Sequence, residues 1–157
     1  MKFLAILLLV SCTRTQTIPP PPPQPEGVPG PQVIFPNGFT VDVEIVADDE
    51  LRAQGLMYRD HLRPGTGMLF FFLEEEEHGF WMKNTLIPLD MIWIDRNRKI
   101  VHIKNDVPPC RVPICPSYTP GVPSLYVLEV AAGVAKQQGL EVGDELQFVR
   151  TENVRVQ

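Results

Sequence analysis

The chain has 157 residues, a formal net charge of −5 and 44% hydrophobic residues. Setting aside an N-terminal leader and a proline-rich stretch leaves about 125 residues, enough for one domain with a single core. Without Lys2, Arg14 and Glu26, which precede residue 32, the chain has 12 basic and 18 acidic residues. Nucleic-acid binding requires a basic face, so we expect no nucleic-acid partner.

The first twelve residues combine one positive charge, an apolar run and a cysteine. The run from Phe3 to Val10 is too short to span a bilayer as a helix and is typical of a signal peptide. The following sequence, Leu9-Val10-Ser11-Cys12, resembles the lipobox of bacterial lipoproteins, in which the cysteine is diacylated. No Ala-x-Ala cleavage site follows, which favours lipidation over a plain secretory signal. We predict a signal peptide at residues 1–11 and a lipidated Cys12.

Residues 12–31 are rich in proline, with eight of the seventeen prolines between Pro19 and Pro31. Such a segment is an extended spacer of ~3.1 Å per residue, although it could also be a ligand for an aromatic groove. We interpret it as a tether. The expected location is therefore the cell envelope, with the membrane as partner through Cys12. In a bacterium with two membranes, Thr13 after the cysteine favours the periplasmic face of the outer membrane.

The folded part, residues 32–157, begins with strand signals. Residues 33–35 lead into the turn sequence Pro36-Asn37-Gly38, and apolar residues then alternate with polar ones from Phe39 to Ile45. This pattern predicts a β-hairpin. Asp48 or Asp49 can cap a short helix through Gln54, with Gly55 ending it.

Further strands are predicted at residues 68–73, 89–94, 99–103, 126–130 and 146–150, and a second short helix at residues 131–138. The four glutamates at 74–77 are expected in a solvated loop tip. Residues 104–124 contain six prolines, so we expect an irregular loop, and a long ordered loop in a small domain usually has a function. About seven strands and two short helices predict a mainly β fold, a single compact β sandwich or barrel-like domain.

Two cysteines lie within the proline-rich loop, Cys110 and Cys115. In an oxidising envelope they would form a disulfide, whose six-residue ring contributes only roughly 2 kcal/mol to stability. The alternatives are a redox pair or two thiolate metal ligands near His102 in the sequence. The spacing differs from the Cys-x-x-Cys of redox folds, which favours the disulfide.

Five stretches of the chain together resemble the family known as domain of unknown function 192. The resemblance covers essentially Val33 to Arg150 and implies a compact, mainly β domain that is often exported, with no established activity. The stretches are Arg52-Ala53-Gln54-Gly55-Leu56-Met57-Tyr58-Arg59, Gly67-Met68-Leu69-Phe70, the segment from Phe80 to Met91, Pro109-Cys110 with Cys115-Pro116, and Val127-Leu128-Glu129-Val130 with Gly133.

Three charged residues interrupt apolar runs. Strand alternation favours an outward position for Glu129. Lys83 and Asp90, whose residue types belong to the family motif, could form a semi-buried ion pair, or they could line a polar ligand-binding floor with Arg59 and Asn84. The sequence is compatible with both alternatives.

We found no motif for a cofactor, a phosphate loop, a nucleophile elbow or a zinc-protease helix. Envelope copper proteins use methionine and histidine ligands, but methionine is usually core filler, and these histidines lack ligand spacing. We therefore expect neither cofactor nor metal. The methionines are Met57, Met68, Met82 and Met91, and the histidines are His61, His78 and His102.

The resulting hypothesis is a non-enzymatic envelope module that binds a small polar ligand or an envelope protein. Its candidate surface contains Arg59, Lys83, Asn84 and Asp90, beside the loop with the two cysteines. The alternatives are an envelope enzyme that uses Asp90 with Glu129 or Asp95, although nothing in the spacing fixes two carboxyl groups across a cleft, and a copper-binding protein.

Overall fold

The computed structural model describes residues 29–157, so the predicted signal peptide, Cys12 and most of the tether lie outside the described residues. Residues 29–157 contain no helix that is long and apolar enough to cross a membrane. Nine strands and two short helices form in this part of the chain, which confirms the mainly β prediction. The strands are β1 (Gln32–Ile34), β2 (Thr40–Val46), β3 (Thr66–Glu76), β4 (Phe80–Trp81), β5 (Leu89–Ile94), β6 (Ile100–Val107), β7 (Ser117–Tyr118), β8 (Ser124–Ala131) and β9 (Gln147–Val149), and the helices are α1 (Asp49–Gln54) and α2 (Val134–Gln137).

One sheet contains seven of these strands, in the order β6-β5-β8-β3-β2-β1-β9, and it curls into a half-barrel. All neighbours pair antiparallel except β2 and β3, which are parallel and are connected through α1. The predicted hairpin of β1 and β2 is confirmed. The two remaining strands, β4 and β7, pair with each other. We call this pair the β4–β7 flap.

Helix α1 has the ends that its sequence predicts. The Asp48 carboxylate accepts a hydrogen bond from the Leu51 N–H at 2.9 Å, as an N-cap does. Gly55 ends the helix at a φ of +48°, a conformation that glycine adopts at little cost.

Two expectations for irregular structure are wrong. Strand β3 continues through Glu76, because Glu76 pairs with Ser124 of β8 and the Glu75 carboxylate binds Arg96. The proline-rich loop contains β7, since its Ser117 and Tyr118 pair with β4. The same loop contains the predicted disulfide, in which Cys110 and Cys115 are joined with their Cα atoms 5.8 Å apart.

The sheet is covered on both faces. All six residues of β5 are buried, and alternate residues belong to two separate apolar clusters. We call the sides the α2 face and the Trp93 face. The α2 face contains Ile92, Ile94, Leu128, Val130 and Ala135, and the Trp93 face contains Met68, Phe70, Met91, Trp93 and Val127.

Asp90 is fully buried on the α2 face, opposite Val130 in the sheet. Its pairing with β6 contains a bulge, in which Asn105 and Asp106 stand opposite the single residue Asp90. One carboxylate oxygen accepts the Asp106 N–H at 2.8 Å, and the other accepts the Ala135 N–H in α2 at 2.9 Å. The carboxylate therefore joins β5, the bulge of β6 and α2.

We predict that Asp90→Asn lowers the free energy of unfolding by about 2–4 kcal/mol, because an amide NH₂ would face one of two buried N–H donors. Denaturant unfolding measures the loss. Asp95→Asn is the matched control, since Asp95 also accepts two backbone N–H bonds, in an exposed turn. There water replaces the lost bonds, and a loss under about 1 kcal/mol is expected. Equal losses in the two variants would contradict the structural role of Asp90.

Candidate functional site

The four predicted ligand-binding residues do not converge on one point. Asp90 is buried on the α2 face, whereas Lys83 is exposed, with its Nζ 5.1 Å from the centre of the Trp81 ring. The proposed Lys83–Asp90 ion pair is therefore wrong, because backbone N–H groups already satisfy the Asp90 carboxylate. The ligand-binding role of the candidate residues stays a prediction.

Arg59 forms a two-pronged ion pair with Glu44 of β2. Its Nη1 and Nη2 atoms lie 2.5 and 2.7 Å from the two carboxylate oxygens. The hydrogen bonds to Glu44 raise the pKa of the half-buried Arg59 guanidinium above its ordinary value. This pair fixes the segment that follows α1 onto the sheet.

Asn84 fastens the same segment to the chain between β4 and β5. The Tyr58 N–H donates to the Asn84 carbonyl at 2.8 Å, and the Asn84 side-chain amide donates to the Tyr58 hydroxyl at 2.8 Å. Both residues have positive φ, +64° for Tyr58 and +54° for Asn84, a conformation that costs energy in residues other than glycine. We call this contact the Tyr58–Asn84 latch.

Glu129 lies beneath this region and not in solvent. Its side chain is on the Trp93 face, directly opposite Met68 in β3 and Met91 in β5, and the residue is 4% exposed. The predicted outward position is wrong because β8 runs through the middle of a sheet whose faces are both covered. Burial raises the pKa of Glu129 to about 8, with no charged partner or hydrogen bond in residues 29–157 to offset it.

Glu129 lines a small cavity of about 20 Å³. A volume of this size holds about one water molecule. The walls combine polar and apolar groups and come from the α1 region, the flap, and neighbouring residues of the sheet and its loops. We call this space the Glu129 cavity, and its lining consists of residues 52–57 with Phe70, Phe80, Trp81, Thr85 and Glu129.

Asp90 and Glu129 cannot act as paired carboxylates across one cleft. Asp90 shares a face with Val130, the residue after Glu129, and successive residues of a strand point to opposite faces. The third acid of the enzyme hypothesis, Asp95, accepts the N–H groups of Asn97 and Lys99 in the β5–β6 turn. The acid that borders a cavity is Glu129.

Three of the four methionines of the motif segments pack as core residues. Met68, Met82 and Met91 are buried within the cluster on the Trp93 face, and Met57 lines the Glu129 cavity. Across residues 29–157, no three His, Cys, Asp or Glu side chains gather in an arrangement that could hold a metal ion.

The sequence contained an indication that Glu129 is buried, although strand alternation favoured an outward position. In Tyr126 to Val130 the apolar residues are consecutive, apart from the glutamate. A continuous apolar run is typical of a strand that is buried on both faces, so a glutamate within it should be buried as well.

Comparison with known proteins places this architecture in a family. A protein-family profile described as DUF192, Uncharacterized ACR, matches residues 33–148. A UPF0127 protein of Pyrococcus abyssi is 30% identical over 112 residues, which is 68% of this chain and 86% of that protein.

Two crystal structures have the same fold. A protein of unknown function from Novosphingobium aromaticivorans is 30% identical, with a TM-score of 0.66, over 74% of this chain and 82% of its own. A Sinorhizobium meliloti protein, named as a candidate transcription regulator, is 38% identical, with a TM-score of 0.64, over 75% of this chain and 91% of its own. On the profile match and these relatives, the chain belongs to the DUF192 family.

Proposed function

We propose that this protein is an exported, lipid-anchored module of the cell envelope that binds a small ligand without chemical conversion. The binding site in this proposal is the Glu129 cavity. The observation that carries it is the carboxyl group of Glu129, a residue that is 4% exposed, lines a cavity and makes no side-chain hydrogen bond within residues 29–157. Buried polar groups are normally hydrogen-bonded, and exceptions in a cavity are candidates for function.

The ligand class follows from the protonation state of Glu129. With a pKa of about 8, the group is mainly protonated at neutral pH. A neutral carboxylic acid offers one O–H donor and one carbonyl acceptor. The walls include aromatic rings and a thioether, from Phe70, Phe80, Trp81 and Met57, and the polar side chains of Arg52, Gln54 and Thr85. The fitting ligand is small and uncharged, with an apolar body and one amide-like group that both donates and accepts.

Admission of such a ligand requires Trp81 to move, because the cavity holds only about one water. Trp81 is 46% exposed and belongs to a strand of two residues, so few contacts oppose its displacement. Of the predicted surface residues, Lys83 contacts the Trp81 ring, and Asn84 and Arg59 bind Tyr58 and Glu44, respectively. In this proposal these contacts hold Trp81 and the segments beside the cavity in place.

The proposed location in the cell envelope rests on the first twelve residues and on the disulfide. Structural disulfides persist in oxidising compartments and are rare in the cytosol, and the Cys110–Cys115 bond fits an exported protein. Several acyl chains on Cys12 would hold the protein firmly at a membrane, where one chain would not.

We predict that Cys12→Ser releases the protein from the membrane fraction or leaves the precursor unprocessed, because the lipid-bearing thiol is gone. Fractionation and metabolic labelling with a radioactive fatty acid measure the effect. Cys110→Ser with Cys115→Ser is the control, and it should retain the label. Undiminished labelling of the Cys12→Ser variant would rule out the anchor.

We predict that Glu129→Gln retains the ligand and Glu129→Met loses it. The glutamine amide keeps one donor and one acceptor, whereas methionine has the volume but not the hydrogen bonds. The full chain, purified in detergent, is mixed with envelope extract, and retained small molecules are identified by mass spectrometry. Glu152→Gln, at an exposed position, is the control and should bind like the wild type. Equal retention by wild type and Glu129→Met would overturn the site.

We predict that Glu129 makes stability fall as the pH rises. In the unfolded chain its pKa returns to the ordinary 4.5, whereas in the folded protein it is about 8. Between these values the folded state holds more protons, so the free energy of unfolding decreases by up to about 1.4 kcal/mol per pH unit and levels off above the folded pKa. Urea unfolding from pH 5 to pH 9 should show this slope in wild type and in Glu152→Gln. Parallel curves for wild type and Glu129→Gln would contradict the buried titration.

A further inference from the structure

A larger groove of about 330 Å³ lies between β6, at one edge of the main sheet, and β7 of the flap. This volume falls within the range of small-molecule sites. We call it the His102 groove, and its lining residues are Trp93, His102, Lys104, Ser117, Tyr118 and Thr119. The Glu129 cavity shares none of these residues, since β4 lines the cavity and β7 lines the groove.

A bulge in β6 directs His102 into this groove. Ile94 pairs with Ile100 and Trp93 pairs with His102, so Val101 is an extra residue in β6. His102 consequently lies on the Trp93 face, with its ring 5.3 Å from the Trp93 ring. Without the extra residue, the side chain at this position would point to the other face.

The opposite wall is held by close packing against a glycine. A Cβ atom at Gly79 would lie 2.7 Å from the Ser117 Oγ, so a side chain at this position would displace the Ser117 hydroxyl. Pairing of Ser117 with Trp81 and of Tyr118 with Phe80 fixes the wall further. The nearby Cys110–Cys115 bond constrains the loop that leads into β7.

The groove contains hydrogen-bond donors and a cation, but no carboxylate. The Lys104 ammonium lies 5.8 Å from the centre of the Tyr118 ring and has no carboxylate within 4.0 Å in the described part of the chain. Ser117, Tyr118 and Thr119 each contribute a hydroxyl group, and His102 contributes an imidazole. The Trp93 indole N–H already donates to the His78 carbonyl at 2.8 Å, so Trp93 forms an apolar floor.

These features together favour an anion. Acidic residues outnumber basic ones in residues 32–157, yet this groove contains an ammonium group without a carboxylate. Oxyanions accept several hydrogen bonds at once, and bonds from a charged donor are the strongest of these. A volume of 330 Å³ is much larger than one phosphate, so the anion would belong to a larger organic group.

We propose that the His102 groove binds a phosphate ester, with Lys104 and the hydroxyl groups of Ser117 and Thr119 holding the phosphate. This site is separate from the Glu129 cavity and does not depend on the function proposed for it. A soluble phosphate monoester and a phospholipid headgroup share this chemistry.

The test is titration calorimetry of the full chain in detergent, with glycerol 3-phosphate as the soluble probe and short-chain phosphatidylglycerol as the lipid probe. Glycerol is the uncharged control. Binding of either phosphate probe, but not of glycerol, is expected. Lys104→Met should weaken that binding about tenfold, the effect of losing a hydrogen bond to a charged group. The exposed Lys136→Met, on α2, should leave it unchanged.

The two probes identify the source of the phosphate. Binding of glycerol 3-phosphate alone would indicate a soluble ester, and binding of phosphatidylglycerol alone would indicate a lipid. Failure of both probes to bind, or equal weakening by Lys104→Met and Lys136→Met, would overturn the proposal. Glu129→Met should not alter phosphate binding, so this result and the test of the Glu129 cavity can fail independently.

Discussion

Burial of β5 and β8 on both faces is the constraint on which the rest of this structure depends. A charged side chain in either strand must find a partner within the protein or lose its charge, because both faces are packed against other parts of the protein. Asp90 and Glu129 occupy adjacent positions in the sheet and meet this constraint differently. Asp90 accepts two backbone N–H groups and becomes part of the framework. Glu129 has no such partner in the described residues, and burial raises its pKa to about 8.

The difference between Asp90 and Glu129 distinguishes a motif residue with a structural role from one that is a candidate for function. Asp90 fixes α2 and the bulge of β6, so a change there disturbs the fold before any site. A buried carboxyl group without a hydrogen-bond partner in the protein lowers stability, unless a bound water or ligand supplies the partner. Glu129 is therefore the better candidate for function, although both residues belong to motifs that the family resemblance contains.

Much of the fold followed from the sequence, because local signals determine it. The capped helix α1, the first hairpin and the β5–β6 hairpin each arise from turn and capping residues close to one another in the chain. The site did not follow, since it depends on strand order. A sequence does not reveal that β8 lies between β3 and β5, and that placement buries Glu129 and separates it from Asp90. Nor does it reveal the β4–β7 pairing, whose partners lie more than thirty residues apart.

The β4–β7 flap connects the two proposed sites physically. Its β4 strand covers the Glu129 cavity through Trp81, and its β7 strand forms a wall of the His102 groove. Two residues on each side hold the flap together, whereas the main sheet beneath it is extensively paired. A displacement of Trp81 that admits a ligand to the cavity must either separate β4 from β7 or move Ser117 together with Trp81. The Cys110–Cys115 bond restrains the loop that carries β7, which favours separation at the β4 side.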